Sequence, residues 1–467
     1  MSARFTVADV SASLGRGPER PASPDETFTR IVIDSRGVQP GYLFVGLRGE
    51  RHDGSAFLAD AVRAGATAAV GEDRRFEGRE RIAFWPVADG RAALQSLAAH
   101  HRARLATRVI GVTGSNGKTT TKELIAAVLS QRFPTARTHG NLNNQVGVPL
   151  TLLEIEERHA WAVVEMGMNQ PGEIAPLATI ARPEVGVITN VAASHLEGLG
   201  TLEAILDEKL ALARALTRGD LLVYGGDQPL LTAAARGLSC RTISYGLDPA
   251  NDVAPERWEL DEDGRGCFVL DRKTYRLRLA GKHNVVNALA AVAVGREAGL
   301  GSAEIAVGLA EVDALPLRMQ LERWGDVVAL VDCYNANPES VLSAAATLST
   351  LAGARRRIAV LGEMLELGAD GPALHEEVGR ALAVGGSVDL VVAVGRGATP
   401  IAEGAARAGL RAERFVDPAS AARWLVDRLE PGDAVLFKAS RGAALETVVA
   451  PVREACLDGA ARNPARR

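Results

Sequence analysis

The chain has 467 residues, too many for one ordinary core, and its 47% hydrophobic and 24% charged content is that of a globular protein of roughly two to four domains. A formal net charge of −4 excludes a broad basic field for nucleic acid or an anionic membrane, so any anion site has to be local. Cys240, Cys267, Cys333 and Cys456 lack metal-type spacing or a disulfide framework, and neither an apolar signal core nor a run near the ~18 apolar residues of a membrane span occurs, so a cytoplasmic protein without membrane insertion is expected.

Up to residue 88, short strand-like runs (30–34, 42–46, 68–70), a helical run (55–64) and frequent turn residues predict a small α/β domain. A helical stretch at 89–105 opens a second domain, 89–315. Its apolar runs 108–112, 162–165, 185–191 and 221–224 are bounded by Gly, Pro or Asn, as strands of a parallel sheet buried on both faces must be. Residues 252–279 break this rhythm with polar alternation and predict an antiparallel ribbon attached to the central sheet, followed by a helix at 284–298. In the third domain, 316–467, strands at 327–332, 357–361, 390–394 and 435–438 alternate with helices, which predicts a doubly wound, Rossmann-like unit. No Gly-x-Gly-x-x-Gly follows its first strand, and the Arg- and Ala-rich tail 458–467 predicts a frayed end.

The stretch GVTGSNGKTTTKEL (111–124) lies between a buried strand and a helical pattern. Such a loop points backbone N–H groups and a helix dipole at phosphate. Gly114 and Gly117 allow close approach, flanking Ser115 and Asn116; Lys118 brings charge, and Thr119, followed by Thr120, offers a hydroxyl to Mg²⁺. Val112 stands where the strict Walker pattern has glycine, so this is a variant P-loop of an ATP-binding domain. Glu165 ends the next strand and could complete a magnesium site with Thr119. Taken singly, Glu165 reads as a surface carboxylate, His195 as structural and Lys209 as an exposed helical lysine.

The joint order of strand, TGSNGKTT, helix, Glu165, NVAASHLEG and Lys209 resembles the Mur ligase family, which uses ATP to activate a carboxylate and join an amino acid or dipeptide to a peptidoglycan precursor. DSRGVQPGYLFVGLRGERHDG (34–54) looks like the family's N-terminal nucleotide-sugar motif. GNLNNQVGVPLTLL (140–153), VDCYNANPESV (331–341), VLGEMLELG (360–368) and FKASRGAALE (437–446) resemble its dipeptide-adding branch.

The resemblance implies UDP-N-acetylmuramoyl-tripeptide and D-Ala-D-Ala as substrates, an acyl-phosphate route, and a monomer. It implies two Mg²⁺ ions, one on Thr119 and Glu165, the other on His195 and a carbamylated Lys209. It places Asn287 on adenine with His283 and Asn284 nearby, Arg318 on the phosphates and Asp332 on the ribose. Asn143, Asn144, Tyr334, Asn335 and Asn337 would serve the peptide substrates, and Ser35 with Arg36 the uridine diphosphate. From the residues alone, Asn284 reads as a helix N-cap and YNANP as a strand-to-helix turn. His375 reads as a helix-face residue outside the site, and Cys333 as a passive small hydrophobe. Where the family often has Lys-Gly-Ser, this chain has Lys438-Ala439-Ser440, so no left-handed backbone is expected at Ala439. The rivals are a folylpolyglutamate synthase, the ligase adding the third residue, and a P-loop switch or motor ATPase; the last needs no Lys209 and leaves the third domain unused.

Overall fold

The computed structural model describes residues 5–49 and 53–462. Residues 463–467 and residues 50–52 of the 34–54 motif lie outside the described residues. The fold is three-domain α/β, each domain built on its own sheet.

The first sheet is parallel, in the order Arg30–Val32, Tyr42–Val45, Ala68–Gly71, Ala83–Pro86. The central sheet is also wholly parallel. Across it run Arg241–Tyr245, Leu221–Gly225, Val185–Ile188, Arg108–Thr113, Trp161–Glu165 and Thr135–Arg137. Val109, Ile110 and Val112 are fully buried, because helices cover both faces. The phosphate-loop strand Arg108–Thr113 lies in the middle, where chain order reverses, so loops leaving its C-terminal end open into a crevice. The third sheet runs Gln320–Trp324, Val327–Asp332, Asp433–Lys438, Arg356–Leu361, Leu390–Val394, Arg411–Phe415, antiparallel only at the first pair.

Three expectations need correction. The segment expected as an antiparallel ribbon attached to the central sheet is antiparallel, but it is a separate three-stranded sheet over 257–280 that follows the bridge Tyr245–Val253 at the central sheet's edge. The turn-rich GLDPANDVAPE (246–256) ends pairing at that edge, and Phe268 stacks on Tyr275 at 4.9 Å to bury the new sheet's face. The helix Lys282–Glu297, buried on nearly every side, fills the space between the two sheets. The strand expected over 185–191 stops at Ile188, since Thr189 and Asn190 turn away to hold the phosphate loop. At the C-terminus the helix Glu446–Arg462 continues through the first part of the expected frayed end.

Candidate active site

The phosphate loop is fastened from its neighbour strand's exit. Asn190 Oδ1 accepts the Asn116 N–H at 2.7 Å, Thr189 Oγ1 donates to Asn116 O at 2.6 Å, and Ser194 Oγ donates to Ser115 Oγ at 3.0 Å. This close fit explains the glycines. A Cβ on Gly114 (φ +149°) would lie 1.8 Å from Thr189 Oγ1, and one on Gly117 (φ +79°) 2.5 Å from Asn287 Oδ1. The helix Lys118–Ser130 starts at the loop's end. Lys118 Nζ donates to Gly114 O at 2.6 Å, and burial lowers its pKa.

Glu165 ends its strand 1% exposed. Its Oε1 accepts Thr119 Oγ1 at 3.2 Å and Asn143 Nδ2 at 2.8 Å, while Oε2 is buried without a hydrogen-bond partner. Lys122, one turn beyond Lys118, is fully buried and stands 3.8 Å from that oxygen, donating instead to Thr138 O at 2.8 Å and Gly140 O at 3.2 Å. A hydroxyl beside a buried carboxylate oxygen that lacks a partner is a donor set suited to magnesium, which takes one or two protein oxygens and completes its shell with phosphate and water. Among the described residues no group of three or more His, Cys, Asp or Glu side chains forms a ready-made cage.

Lys209, on the helix Leu202–Arg214, is 1% exposed rather than solvated. Burial first, then repulsion from Lys118, holds its amine far below the usual lysine pKa, and no hydrogen bond or ion pair reaches it among the described residues. A neutral, unpaired buried amine is the form that can react with CO₂. Its neighbour Glu208 accepts the Gly172 and Ile174 N–H groups at 2.7 Å each, fixing the helix to the loop after Met168. His195 has left-handed backbone (φ 57°), and its Nδ1 lies 2.5 Å from Glu366 Oε2 of the third domain. Contact with His195 lowers the Glu366 pKa.

From the third domain, the Arg318 guanidinium lies over the Tyr334 ring at 3.8 Å. Arg318 stands between two non-glycine residues of positive φ, Leu317 (61°) and Met319 (48°), a conformation costing of order 1–3 kcal/mol per residue. Asp332 supports it: Oδ1 accepts the Met319 N–H at 3.2 Å and Oδ2 accepts Lys438 Nζ at 2.6 Å. Asn337 caps the helix Pro338–Thr350 and donates from Nδ2 to Asn116 Oδ1 at 2.7 Å.

A cavity of about 1390 Å³ joins these groups. Ser115 through Thr120, Asn143, Asn144, Glu165 and His195 line it from the central domain together with Asn287, and Arg318, Asp332, Tyr334 and Asn335 from the third. Gly114, Lys209 and Asn337 stand behind the wall. Ser35 and Arg36 lie elsewhere, in the turn Ser35–Gly37, with Arg36 exposed and paired to Asp34 at 2.6 Å. Asn144 accepts the Gly147 N–H at 2.9 Å, shaping the turn into the helix Gly147–Leu153.

Asn284 is not the N-cap, a place taken by Gly281; it donates to Ala280 O at 2.7 Å and accepts Asn287 Nδ2 at 3.0 Å. His375 lies on the helix Gly371–Gly385 and outside the cavity lining, as expected, and its face is the buried one, where it acts as a brace. Its Nε2 accepts the Met364 N–H at 2.9 Å and its Nδ1 meets Gly371 O at 2.7 Å. Burial pushes the Cys333 thiol up to about 12, as a passive core residue requires. Ala439 keeps negative φ, and a Cβ on Gly362 opposite would lie 2.7 Å from its methyl.

Three family models match the chain: "Mur ligase family, catalytic domain" over 27–102, "Mur ligase middle domain" over 112–295, and "Mur ligase, glutamate ligase domain" over 317–441. The chain belongs to the Mur ligase family. It is an ATP-dependent, amide-bond-forming ligase, which removes the switch or motor ATPase from consideration. UDP-N-acetylmuramoyl-tripeptide–D-alanyl-D-alanine ligase of Bacillus subtilis is 37% identical over 456 residues, covering 97% of this chain and 99% of its own. MurF from Acinetobacter baumannii superposes with a TM-score of 0.87 at 32% identity, covering 97% and 99%. MurF from Thermotoga maritima, solved in complex with ADP, gives 0.82 at 30%, covering 92% and 98%.

Glu366, Lys122 and Asn190 were not singled out in the sequence of this Mur ligase, and Lys438 was named there without a role. Lys122 carried a signal: it follows Lys118 by four residues and so shares its inward face. Glu366 sits within VLGEMLELG, but nothing local ties it to His195, 171 positions earlier.

Proposed function

We propose that this Mur ligase joins D-alanyl-D-alanine to UDP-N-acetylmuramoyl-tripeptide, forming the pentapeptide precursor, ADP and phosphate. The carrying observation is that one cavity joins Lys118, Thr119 and Glu165 at the ends of the central strands to Arg318 and Tyr334 of the third domain. The curated relatives bearing this activity's name match along nearly their whole length.

In the first step the tripeptide's free carboxylate attacks the γ-phosphorus of ATP, giving an acyl phosphate and ADP. The dipeptide amine then attacks the activated carbonyl and phosphate leaves. Both reactants are anionic, so the protein's task is neutralisation and in-line positioning. Lys118 would stabilise charge on the transferring phosphoryl group from the loop side and Arg318 from the third domain. Thr119 and Glu165 would hold one magnesium ion, and His195 with a carbamylated Lys209 a second. When bound, these ions would supply charge neutralisation at the phosphates.

Tyr334 and Asn335 would border the dipeptide site, and Asn143 and Asn144 the tripeptide's reacting end. Asn337 would act through its contact with Asn116. Ser35 and Arg36 would meet the uridine diphosphate, with Arg36 exchanging Asp34 for diphosphate. We place domain boundaries at 88/89 and 315/316, between the three sheets, and read the chain as a cytoplasmic monomer without a nucleic-acid partner. No helix among the described residues is long and apolar enough to cross a membrane.

The test is whether sustained ADP production requires both substrates together. Production beyond one equivalent per enzyme with either one alone, or sustained turnover with a folate and glutamate, would refute the reading. Running the meso-diaminopimelate and L-lysine tripeptides side by side assigns the third peptide residue.

A further inference from the structure

The acidic side chains that line the cavity are not equivalent. Glu165 holds Thr119 and Asn143, Glu173 accepts the Asn169 N–H at 2.6 Å, and Asp227 accepts the Leu247 N–H at 2.8 Å. Asp332 is taken by Met319 and Lys438, and Glu366 by His195. Glu339 differs: among the described residues it accepts no hydrogen bond and joins no ion pair. An acidic residue in a first helical turn favours the helix dipole anywhere on a surface. That does not explain why this one faces the cleft.

Its place along the helix Pro338–Thr350 is informative. Glu339, Leu342, Ser343, Ala346 and Thr350 recur at three- and four-residue spacing and line the cavity as one helix face. Asn337, just before this face, touches Asn116 of the phosphate loop. Ser343 Oγ lies 3.1 Å from His283 Nδ1, and His283 precedes Asn287 by one turn of its own helix. At ~1.5 Å per residue, Glu339 is about 3 Å along the axis from Asn337 and about 6 Å from Ser343. Glu339 thus lies on the helix between the contact to the phosphate loop and the contact to His283, the stretch that the sugar of a nucleotide with phosphates on the loop and base beside His283 and Asn287 would follow. Asp332, the carboxylate the resemblance assigns to the ribose, has both oxygens engaged by the protein.

We propose that Glu339 accepts hydrogen bonds from the ribose 2′- and 3′-hydroxyls of the bound nucleotide and makes the site selective for ribonucleotides. The inference rests on the reading of this cavity as the ATP site. Glu339 is exposed to the cleft, and desolvation on its wall side raises the carboxyl pKa above the usual carboxylate range, which two hydroxyl donors would offset.

The test compares equilibrium binding of ADP and 2′,3′-dideoxy-ADP to the full-length wild-type chain, Glu339→Gln and Glu339→Ala, with thermal melts confirming folding. Hydrogen bonds to a charged acceptor are strong enough for a preference of about 10-fold or more in the wild type. Glu339→Ala is expected to lower ADP affinity by about 10-fold while leaving dideoxy-ADP within about 2-fold, abolishing the preference. Glu339→Gln, an isostere, keeps the test intact if the alanine variant folds poorly, and is expected to lose most of the preference. Variants that retain the wild-type ratio would overturn the assignment. So would a variant whose only change is a raised KM for D-Ala-D-Ala, which would make Glu339 the partner of the incoming ammonium group. Failure of the wild type to bind ADP at all would instead refute the cavity's reading as a nucleotide site.

Discussion

Glu165 divides its carboxyl group between two tasks: one oxygen organises Thr119 and Asn143, the other is buried without a hydrogen bond. Lys209 has the complementary oddity of a buried lysine to which no hydrogen bond or ion pair is made among the described residues. Both features are unfavourable in isolation, and under the proposed reading one magnesium ion held by Glu165 and a second held by a Lys209 carbamate would offset each. Lys209→Ala is therefore expected to lower turnover by about 100-fold or more, with partial rescue by acetate or formate. Near-normal activity of the variant, or a wild-type spectrum without a carbamate carbon signal after equilibration with ¹³C-bicarbonate, would contradict this. Arg318, held between two strained residues and stacked on Tyr334, is expected to act mainly on the phosphoryl group in flight. Arg318→Ala should reduce kcat by about 100-fold while changing ADP affinity by less than about 5-fold. A variant with wild-type turnover and only weakened binding would make it a uniform-binding residue.

At the scale of elements, the loop 138–145 depends on Lys122. Its ammonium ties the carbonyls of Thr138 and Gly140 to the helix Lys118–Ser130, and Thr138 Oγ1 in turn accepts the Glu165 N–H at 3.0 Å. Lys122→Met is expected to destabilise the chain by about 3 kcal/mol in denaturant unfolding, since it strands the buried Thr138 carbonyl beside a buried carboxylate. A loss below about 1 kcal/mol would show that the loop does not lean on this lysine. The central apolar strands, such as Leu221–Gly225 and Leu390–Val394, were legible in the sequence because burial on both faces demands uninterrupted apolar residues. Thr135–Arg137, Arg241–Tyr245, Gln320–Trp324 and Arg411–Phe415 were not. Each lies at a sheet edge, where one side meets solvent and the apolar run disappears. The helix Val7–Leu14 is short, and its capping box, Thr6 with Asp9, is a weaker signal than a long amphipathic period.

Across the whole molecule, the third domain meets the central one near the phosphate loop and farther out, with the Ser343–His283 contact between. Near the phosphate loop the contacts are Asn116 with Asn337 and His195 with Glu366; away from it, Arg323 pairs with Asp263 and the Ala352 N–H donates to Glu262 O at 3.1 Å. The first group borders the phosphate loop and the cavity, and the second lies where a hinge would keep contact during opening. Nucleotide with tripeptide is expected to shift solution scattering toward a smaller radius of gyration, and Glu366→Ala to shift the unliganded chain the other way. Identical profiles throughout would argue for a rigid assembly. Phosphate-loop chemistry could be read from contiguous residues, whereas these contacts join positions 60 or more residues apart, which only the fold brings together.

The central claim is that the cavity spends ATP on activating a carboxylate. It is tested most directly by following oxygen from a tripeptide labelled with ¹⁸O in its reacting carboxyl group. Attack of that carboxylate on the γ-phosphorus, followed by amine displacement, must leave one labelled oxygen in each phosphate released with the pentapeptide. Phosphate carrying no label, with oxygen drawn from water, would mean that ATP is hydrolysed without activating the tripeptide and would contradict the account.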